Sequence, residues 1–72
     1  MMQFDYIGVV PVMPARIVAD IIGIPVSELI DDYRAHTDCG VWMDSGYPSL
    51  EFDELWDYLE PRYPAAYHAI FG

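Results

Sequence analysis

The chain is 72 residues long, which allows one domain built on one hydrophobic core. Its hydrophobic share of 54% and aromatic share of 15% exclude a disordered acidic tail. Twelve acidic residues against three basic ones give a net charge of −9. This charge disfavours direct contact with nucleic acid or an anionic membrane and favours a basic partner.

The cellular location is predicted to be cytoplasmic. Cys39 is the one cysteine, so no disulfide can form within the chain. Residues 1–12 contain Asp5 and lack the basic start of a secretory signal. No apolar run approaches the ~20 residues that a membrane helix needs, so we expect no membrane partner.

An extended lead-in is predicted for residues 1–13. The stretch Tyr6–Val10 is β-branched and rich in apolar residues, which indicates a short strand. We expect Pro11 and Pro14 to close this strand, because proline has no N–H to donate to a strand ladder.

Two short helices are predicted next. Pro14 suits a first helical turn, and the apolar residues behind it recur at helical spacing: Ile17, Val18, Ile21 and Ile22. We expect Gly23 to end this helix and Pro25 to open a second. The apolar positions of the second helix are Val26, Leu29, Ile30 and Tyr33. Two helices joined so tightly must turn sharply, as helix-turn-helix pairs do.

A loop at residues 37–40 and a β-hairpin follow. Strands are predicted at Val41–Met43 and Tyr47–Phe52, on either side of a tight turn at residues 44–46. Pro48 is expected to confine the second strand to an edge of the sheet.

One or two further helices complete the prediction. Asp53 is expected to be the N-cap of a third helix, which Pro61 and Pro64 would break. Residues 61–72 are predicted to be a C-terminal helical segment that begins at Pro64. Three aromatic residues are predicted to lie in the core, namely Trp42, Phe52 and Trp56.

Residues 17–29 resemble the helix-turn-helix of excisionase-like and MerR-like DNA-binding domains. Ala19, Gly23 and Leu29 have that family's spacing of a small residue, a turn glycine and an aliphatic residue. Alanine allows close approach of the two helices, glycine accepts a positive φ at the turn, and leucine fills the gap between them. The resemblance implies an α+β fold, a small winged helix-turn-helix domain with three to four short helices and a β-hairpin.

The likeness continues through a hairpin wing at residues 41–52 and an acidic-capped helix at residues 53–59. Residues 14–60 are therefore the expected core of a single domain that spans residues 1–72. Members of the family bind DNA through basic and amide residues on the second helix and the wing. Here that helix offers Glu28, Asp31 and Asp32. DNA affinity depends mainly on Lys and Arg at phosphates, so we expect a retained fold without DNA binding.

Two acidic helix faces are the candidate partner-binding site. The first comprises Glu28, Asp31 and Asp32, which either mimic a run of phosphates or form an ordinary solvated face. The second comprises Glu51, Asp53, Glu54, Asp57 and Glu60, of which Asp53, Glu54 and Asp57 are the candidate binding residues. Asp53 and Glu54 also suit a helix N-terminus electrostatically.

An apolar C-terminal segment either packs onto the domain or makes a homodimer contact, and it comprises Ile70 and the candidate interface aromatics Tyr63, Tyr67 and Phe71.

No catalytic, cofactor or metal site is predicted, and the protein is not expected to be an enzyme. His36, Asp38 and Cys39, with His68 far along the chain, lack the second Cys or His pair that a metal site needs. Paired carboxylates would need an enclosing pocket for acid–base catalysis, and a domain of this size rarely forms one.

These observations predict an acidic protein-binding module. We expect an inhibitor from a phage or mobile element that mimics nucleic-acid phosphates and blocks a basic nucleic-acid-binding defence protein. One alternative is an excisionase-like DNA-binding accessory protein, which a cluster of Arg16, Arg34 and Arg62 on one face would favour. The other is a structural or assembly subunit.

Overall fold

The computed structural model describes residues 2–37, 40–44 and 46–72, so the predicted loop and turn at 37–40 and 44–46 lie partly outside the described residues. The described chain forms four strands and four helices. In chain order they are β1 Asp5–Ile7, β2 Val10–Pro14, α1 Ala15–Ile22, α2 Val26–His36, β3 Trp42–Asp44, β4 Tyr47–Glu51, α3 Phe52–Arg62 and α4 Pro64–Phe71. The predicted α+β class is confirmed.

The four strands form one antiparallel sheet in the order β1-β2-β4-β3. The lead-in predicted for residues 1–13 is instead largely a β-hairpin, because β1 pairs with β2 across Gly8 and Val9. Gly8, the first residue of this two-residue loop, has a φ of 65°. Such loops require a positive φ at their first position, and glycine adopts it at no steric cost. The predicted strand end at Pro11 is therefore wrong.

The strand register explains how the sheet accommodates Pro11, Pro14 and Pro48. The residues that flank a two-residue hairpin loop form a hydrogen-bonded pair, and such pairs alternate along the ladder with non-hydrogen-bonded ones. Counted from either hairpin loop, all three prolines fall at non-hydrogen-bonded pairs. Each proline nitrogen therefore faces a side on which the neighbouring strand has no paired residue, and no ladder hydrogen bond is lost.

The edge position predicted for the second hairpin strand is wrong, since β4 lies between β2 and β3. Pro48 pairs with Met43 of β3, whereas β2 pairs with β4 only from Ser49 to Glu51. Pro48 is tolerated because the side of β4 that its nitrogen faces has no partner strand at this point.

Helices α1 and α2 form the predicted tight pair. Gly23 ends α1 with a φ of 91°, and its N–H donates to the carbonyl of Ala19 at 2.7 Å. The N–H of Ile24 donates to the same carbonyl at 3.1 Å, and α2 follows Pro25 directly. Ala19 and Leu29 are both buried in the core. The predictions for Gly23 and Pro25 are confirmed.

The boundaries of α3 differ from the prediction. Strand β4 leads into the helix without a linker, so the N-cap is Glu51, and the predicted N-cap Asp53 lies inside the first turn. Pro61 also lies inside α3 and does not break it. The helix ends at Arg62, because the next residue, Tyr63, precedes Pro64 and is disfavoured in the helical conformation. Of the two predicted helix breakers, Pro64 therefore acts and Pro61 does not. The predicted start of α4 at Pro64 is confirmed.

One core forms between the helices and one face of the sheet. Met13 and Leu50 are opposite each other in the register and are both buried there. The predicted core residues Phe52 and Trp56 are half-buried and pack against this core. Trp42 is half-buried but pairs with Ser49, on the opposite face of the sheet from Leu50, so its placement in this core is wrong.

The described helices include none that is both long enough and apolar enough to cross a bilayer.

Candidate functional site

The first acidic face lies along the outer side of α2. This helix buries Leu29 and Tyr33, which leaves Glu28 and Asp31 in solvent on its other side. Asp32 lies nearer the buried side and is half-buried. Two of the three predicted acids are therefore accessible to a partner, while the third is held within the fold.

The second acidic face lies on α3, which buries Leu55, Tyr58 and Leu59. Asp53 and Asp57 are one turn apart on the opposite side of the helix and are exposed. The third candidate on this helix, Glu54, is half-buried. Asp53 and Glu54 also lie in the first turn, where carboxylates interact favourably with the helix dipole.

Asp32 connects the two acidic helices. Its Oδ2 accepts a hydrogen bond from the hydroxyl of Tyr58 on α3. Its Oδ1 lies 3.4 Å from Nδ1 of His36, and the same nitrogen donates to the backbone carbonyl of Asp32 at 2.9 Å. The described contacts thus bring one acid of the first face against the helix that carries the second face.

Tyr58 is buried and held by several neighbours. The ring of Tyr33 meets it edge-on with 5.4 Å between centroids, and the half-buried Tyr63 lies 6.0 Å away. The guanidinium of Arg62 lies 5.3 Å from the Tyr58 centroid, and its Nη1 donates to the Tyr58 carbonyl at 3.2 Å. Burial, followed by the hydrogen bond to Asp32, raises the pKa of Tyr58 well above its ordinary value of 10.0. The hydroxyl therefore stays protonated and donates to Asp32 at neutral pH.

The three arginines lie on different helices. Arg16 is on α1, Arg34 on α2 and Arg62 on α3, and all three are exposed. Arg62 is engaged by Tyr58 through its guanidinium. Arg34 shares α2 with the exposed acids Glu28 and Asp31, so it adds one positive charge to a helix surface where acids predominate.

The C-terminal aromatic residues pack onto the domain. Phe71 is buried, with its ring 5.0 Å from both Phe52 and Trp56. Tyr67 is half-buried and meets Trp56 edge-on at 4.9 Å. Desolvation beside these rings, followed by the carboxylate of Glu60, raises the pKa of the Tyr67 hydroxyl above its ordinary value. Of the predicted interface aromatics, Tyr63 and Tyr67 keep partial exposure and Phe71 belongs to the core.

Within residues 2–37, 40–44 and 46–72, no three His, Cys, Asp or Glu side chains are grouped so that they could hold a metal ion. Asp38 and Cys39 lie outside the described residues. His36 is in contact with Asp32, and the exposed His68 lies beside Tyr67 with 5.2 Å between ring centroids.

Comparison of the chain with family models, with curated proteins and with solved structures gives no match. What the protein does must therefore be inferred from its own residues.

Sequence reasoning missed the role of Tyr58, which is among neither the predicted core aromatic residues nor the predicted interface ones. A signal was present in the sequence. Glu28, Asp32 and His36 recur every four residues, as do Glu54, Tyr58 and Arg62. Residues at this spacing form a stripe along a helix. Two such polar stripes border the apolar positions of α2 and α3, and the hydrogen bond from Tyr58 to Asp32 joins one residue of each stripe.

Proposed function

We propose that the protein binds a basic protein surface through the exposed acids of α2 and α3. The main support is the hydrogen bond from Tyr58 to Asp32, which joins the two acidic helices at a fixed point. Beyond this point Glu28 and Asp31 are exposed on α2, and Asp57 is exposed on α3. These exposed carboxylates are the groups that a basic partner would contact.

Long-range attraction supports the same proposal. A net charge of −9 on 72 residues produces a negative field that attracts basic surfaces and accelerates their association. Screening limits this field to a Debye length of about 8 Å at physiological ionic strength. The affinity for a basic partner should therefore fall as salt rises.

In its finer form, the proposal is that these acids replace nucleic-acid phosphates. The exposed Asp53 and Asp57 are one helical turn apart, so α3 presents carboxylates about 6 Å apart along its axis. The exposed Glu28 and Asp31 are three residues apart on α2, which separates them by about 5 Å along that axis. A basic groove that neutralises successive phosphates would meet similar charges here. The partner is then a nucleic-acid-binding protein, and the effect is inhibition of the kind that a phage or mobile element uses against a defence enzyme.

We propose a winged helix-turn-helix type for the fold. Helix α1, the left-handed turn at Gly23 and helix α2 are followed by the β3–β4 hairpin and then by α3, which is the order of that architecture. Ala19 and Leu29 are buried at the positions where the motif needs close packing. The β1–β2 hairpin extends the wing into a four-stranded sheet.

The same order of elements supports an alternative, an excisionase-like DNA-binding protein. In that case α2 would enter the major groove and would bring Glu28 and Asp31 toward phosphates. A gel shift at low salt with mixed-sequence duplexes tests this alternative. Retention of a duplex would support it, and no retention at any protein concentration would exclude it.

The proposed function is tested with a panel of purified basic nucleic-acid-binding proteins, each titrated with this protein in a salt series and with its own DNA as competitor. We expect Asp31→Asn and Asp57→Asn each to weaken binding about threefold, as loss of one exposed charge contact would. DNA should displace the protein from its partner.

The matched control is Asp20→Asn, which removes one exposed helical acid of α1 outside the two acidic faces. Equal weakening by Asp20→Asn and Asp31→Asn would show that only net charge matters and would contradict a site on α2 and α3.

A further inference from the structure

The open edge of β1 is a hydrogen-bonding surface that the acidic faces do not use. Among residues 2–37, 40–44 and 46–72, β1 is the terminal strand of the sheet and pairs with β2 alone. Asp5 and Ile7 occupy hydrogen-bonded pairs with β2, whereas Tyr6 lies opposite Pro11 at a non-hydrogen-bonded pair. The N–H and C=O of Tyr6 therefore point away from β2, toward the free edge, where they form a template for another strand.

A cavity of about 410 Å³ lies beside this edge, lined by Met2, Gln3, Phe4, Tyr6, Pro11 and Phe52. Its volume is within the range of pockets that hold ligands or large side chains. Phe4 and Phe52 pack with 4.9 Å between ring centroids, and the Tyr6 ring beside them is 66% exposed. Phe4 and Tyr6 lie on the same side of the strand because side chains alternate. The cavity thus receives side chains from one face of any strand added to β1.

We propose that β1 binds an extended basic segment of a partner protein by strand addition, with one apolar side chain of that segment in the cavity. In this mode the main-chain hydrogen bonds provide affinity, and pockets for alternate side chains provide specificity. The backbone of Tyr6 supplies a donor and an acceptor to the incoming residue opposite it. The side chain of that residue lies on the cavity side.

Charge complementarity selects a basic segment. The incoming residues on either side of the apolar one lie opposite Asp5 and Ile7 on the other face of the sheet. Asp5 is exposed there, Asp53 is exposed next to Phe52, and no residue that lines the cavity is basic. Lysine or arginine beside the apolar residue therefore pairs with Asp5. A second copy of this chain would instead bring a net charge of −9 against the same charge, so a homodimer through β1 is disfavoured.

The test uses the full chain and a capped, fluorescent peptide of sequence Lys-Thr-Lys-Leu-Lys-Thr-Lys, with affinity measured by anisotropy. The key variant is Tyr6→Pro, which removes the outward N–H without removing any β1–β2 hydrogen bond. We expect Tyr6→Pro to weaken binding at least about tenfold, through loss of one main-chain hydrogen bond and one cavity wall. Circular dichroism of each variant confirms that it is folded.

Tyr6→Ala and Tyr47→Ala form a matched pair, since the two side chains are 66% and 64% exposed at the two different hairpins. Tyr6→Ala should weaken binding by less than Tyr6→Pro, and Tyr47→Ala should leave it unchanged. Asp5→Asn should weaken it about threefold, as an exposed ion pair would. Asp31→Asn should leave peptide binding unchanged. A failure of peptide binding at β1 can therefore be distinguished from a failure of the proposed binding through the acidic faces of α2 and α3.

Two further readouts isolate strand addition. N-methylation of the peptide at its leucine should abolish binding, while N-methylation at the next lysine, whose N–H points away from β1, should not. In hydrogen exchange, the Tyr6 amide should become protected on peptide addition, whereas those of Asp5 and Ile7 are protected beforehand. The proposal would be overturned if the peptide bound Tyr6→Pro as tightly as the parent, or if the Tyr6 amide stayed unprotected on peptide addition. It would also be overturned if the free protein were a dimer that Tyr6→Pro dissociates.

Discussion

The hydrogen bond between Tyr58 and Asp32 should be a measurable part of the stability of this small domain. The hydroxyl donates to a carboxylate, and such bonds contribute about 1.5–3 kcal/mol. The Asp32 side chain is 38% exposed, so water can replace the lost donor. We therefore expect Tyr58→Phe to lower the free energy of unfolding by about 1.5 kcal/mol, at the bottom of that range.

The converse variant, Asp32→Ala, should cost more. Tyr58 is only 1% exposed, so its hydroxyl would remain buried after loss of its charged acceptor, a penalty of about 2 kcal/mol. Once Asp32 is absent, removal of the hydroxyl should cost little. The double variant should therefore resemble Asp32→Ala, with a coupling energy of about 1.5 kcal/mol between the two sites.

Urea unfolding followed by circular dichroism measures all three free energies. For a domain of this length, 1.5 kcal/mol corresponds to a fall in Tm of roughly 6–12 °C. Tyr47→Phe is the control, because that tyrosine is 64% exposed and loss of a hydroxyl that water solvates should leave the stability unchanged. Strictly additive effects of Tyr58→Phe and Asp32→Ala would refute the reasoning, since they would show that the two side chains do not interact.

Three further predictions concern pH, the helical turn and the core. Because the pKa of Tyr58 is raised in the folded state, its contribution to the free energy of unfolding is complete below about pH 10 and is lost as the pH rises further. The urea midpoint should therefore fall less at alkaline pH in Tyr58→Phe than in the parent protein. Gly23→Ala should cost about 1–2 kcal/mol, because φ is 91° and nothing lies within 4 Å of the added Cβ, so only backbone strain acts. Gly40→Ala, equally uncrowded and without a positive φ, should be near neutral in the same urea assay. Leu29→Ala removes a fully buried side chain between α1 and α2 and should lower the free energy of unfolding by about 2–5 kcal/mol, which calorimetry would register as loss of most or all of the folding transition.

Local signals in the sequence predict most elements of this fold. Gly23 and Pro25 mark the turn between α1 and α2 because each conformation is nearly exclusive to its residue type. The same rules mislead at Pro11 and Pro48. Whether a proline is compatible with a strand depends on which side its nitrogen faces, and that follows from pairing with distant strands rather than from the local sequence.

The candidate site was predictable only in part. The periodicity of α2 places Glu28 and Asp31 on its outer side, and the structure leaves both exposed. The same periodicity does not show that Asp32 would be bound by Tyr58, because that contact joins residues 26 positions apart. Contacts of this kind depend on how two helices pack, which is decided by the whole core.

The strand prolines also protect the chain before it is folded. Half of its residues are apolar, and short apolar segments of high β-propensity are those that stack into fibrils when they are exposed. A shift of either hairpin by one residue would place Pro11 or Pro48 where the partner strand needs an N–H donor, so the misaligned pairing loses a hydrogen bond. The same shift also turns every side chain of the strand to the wrong face of the sheet. Segments interrupted in this way aggregate poorly, and a newly made chain can pair its strands in few arrangements other than the native one.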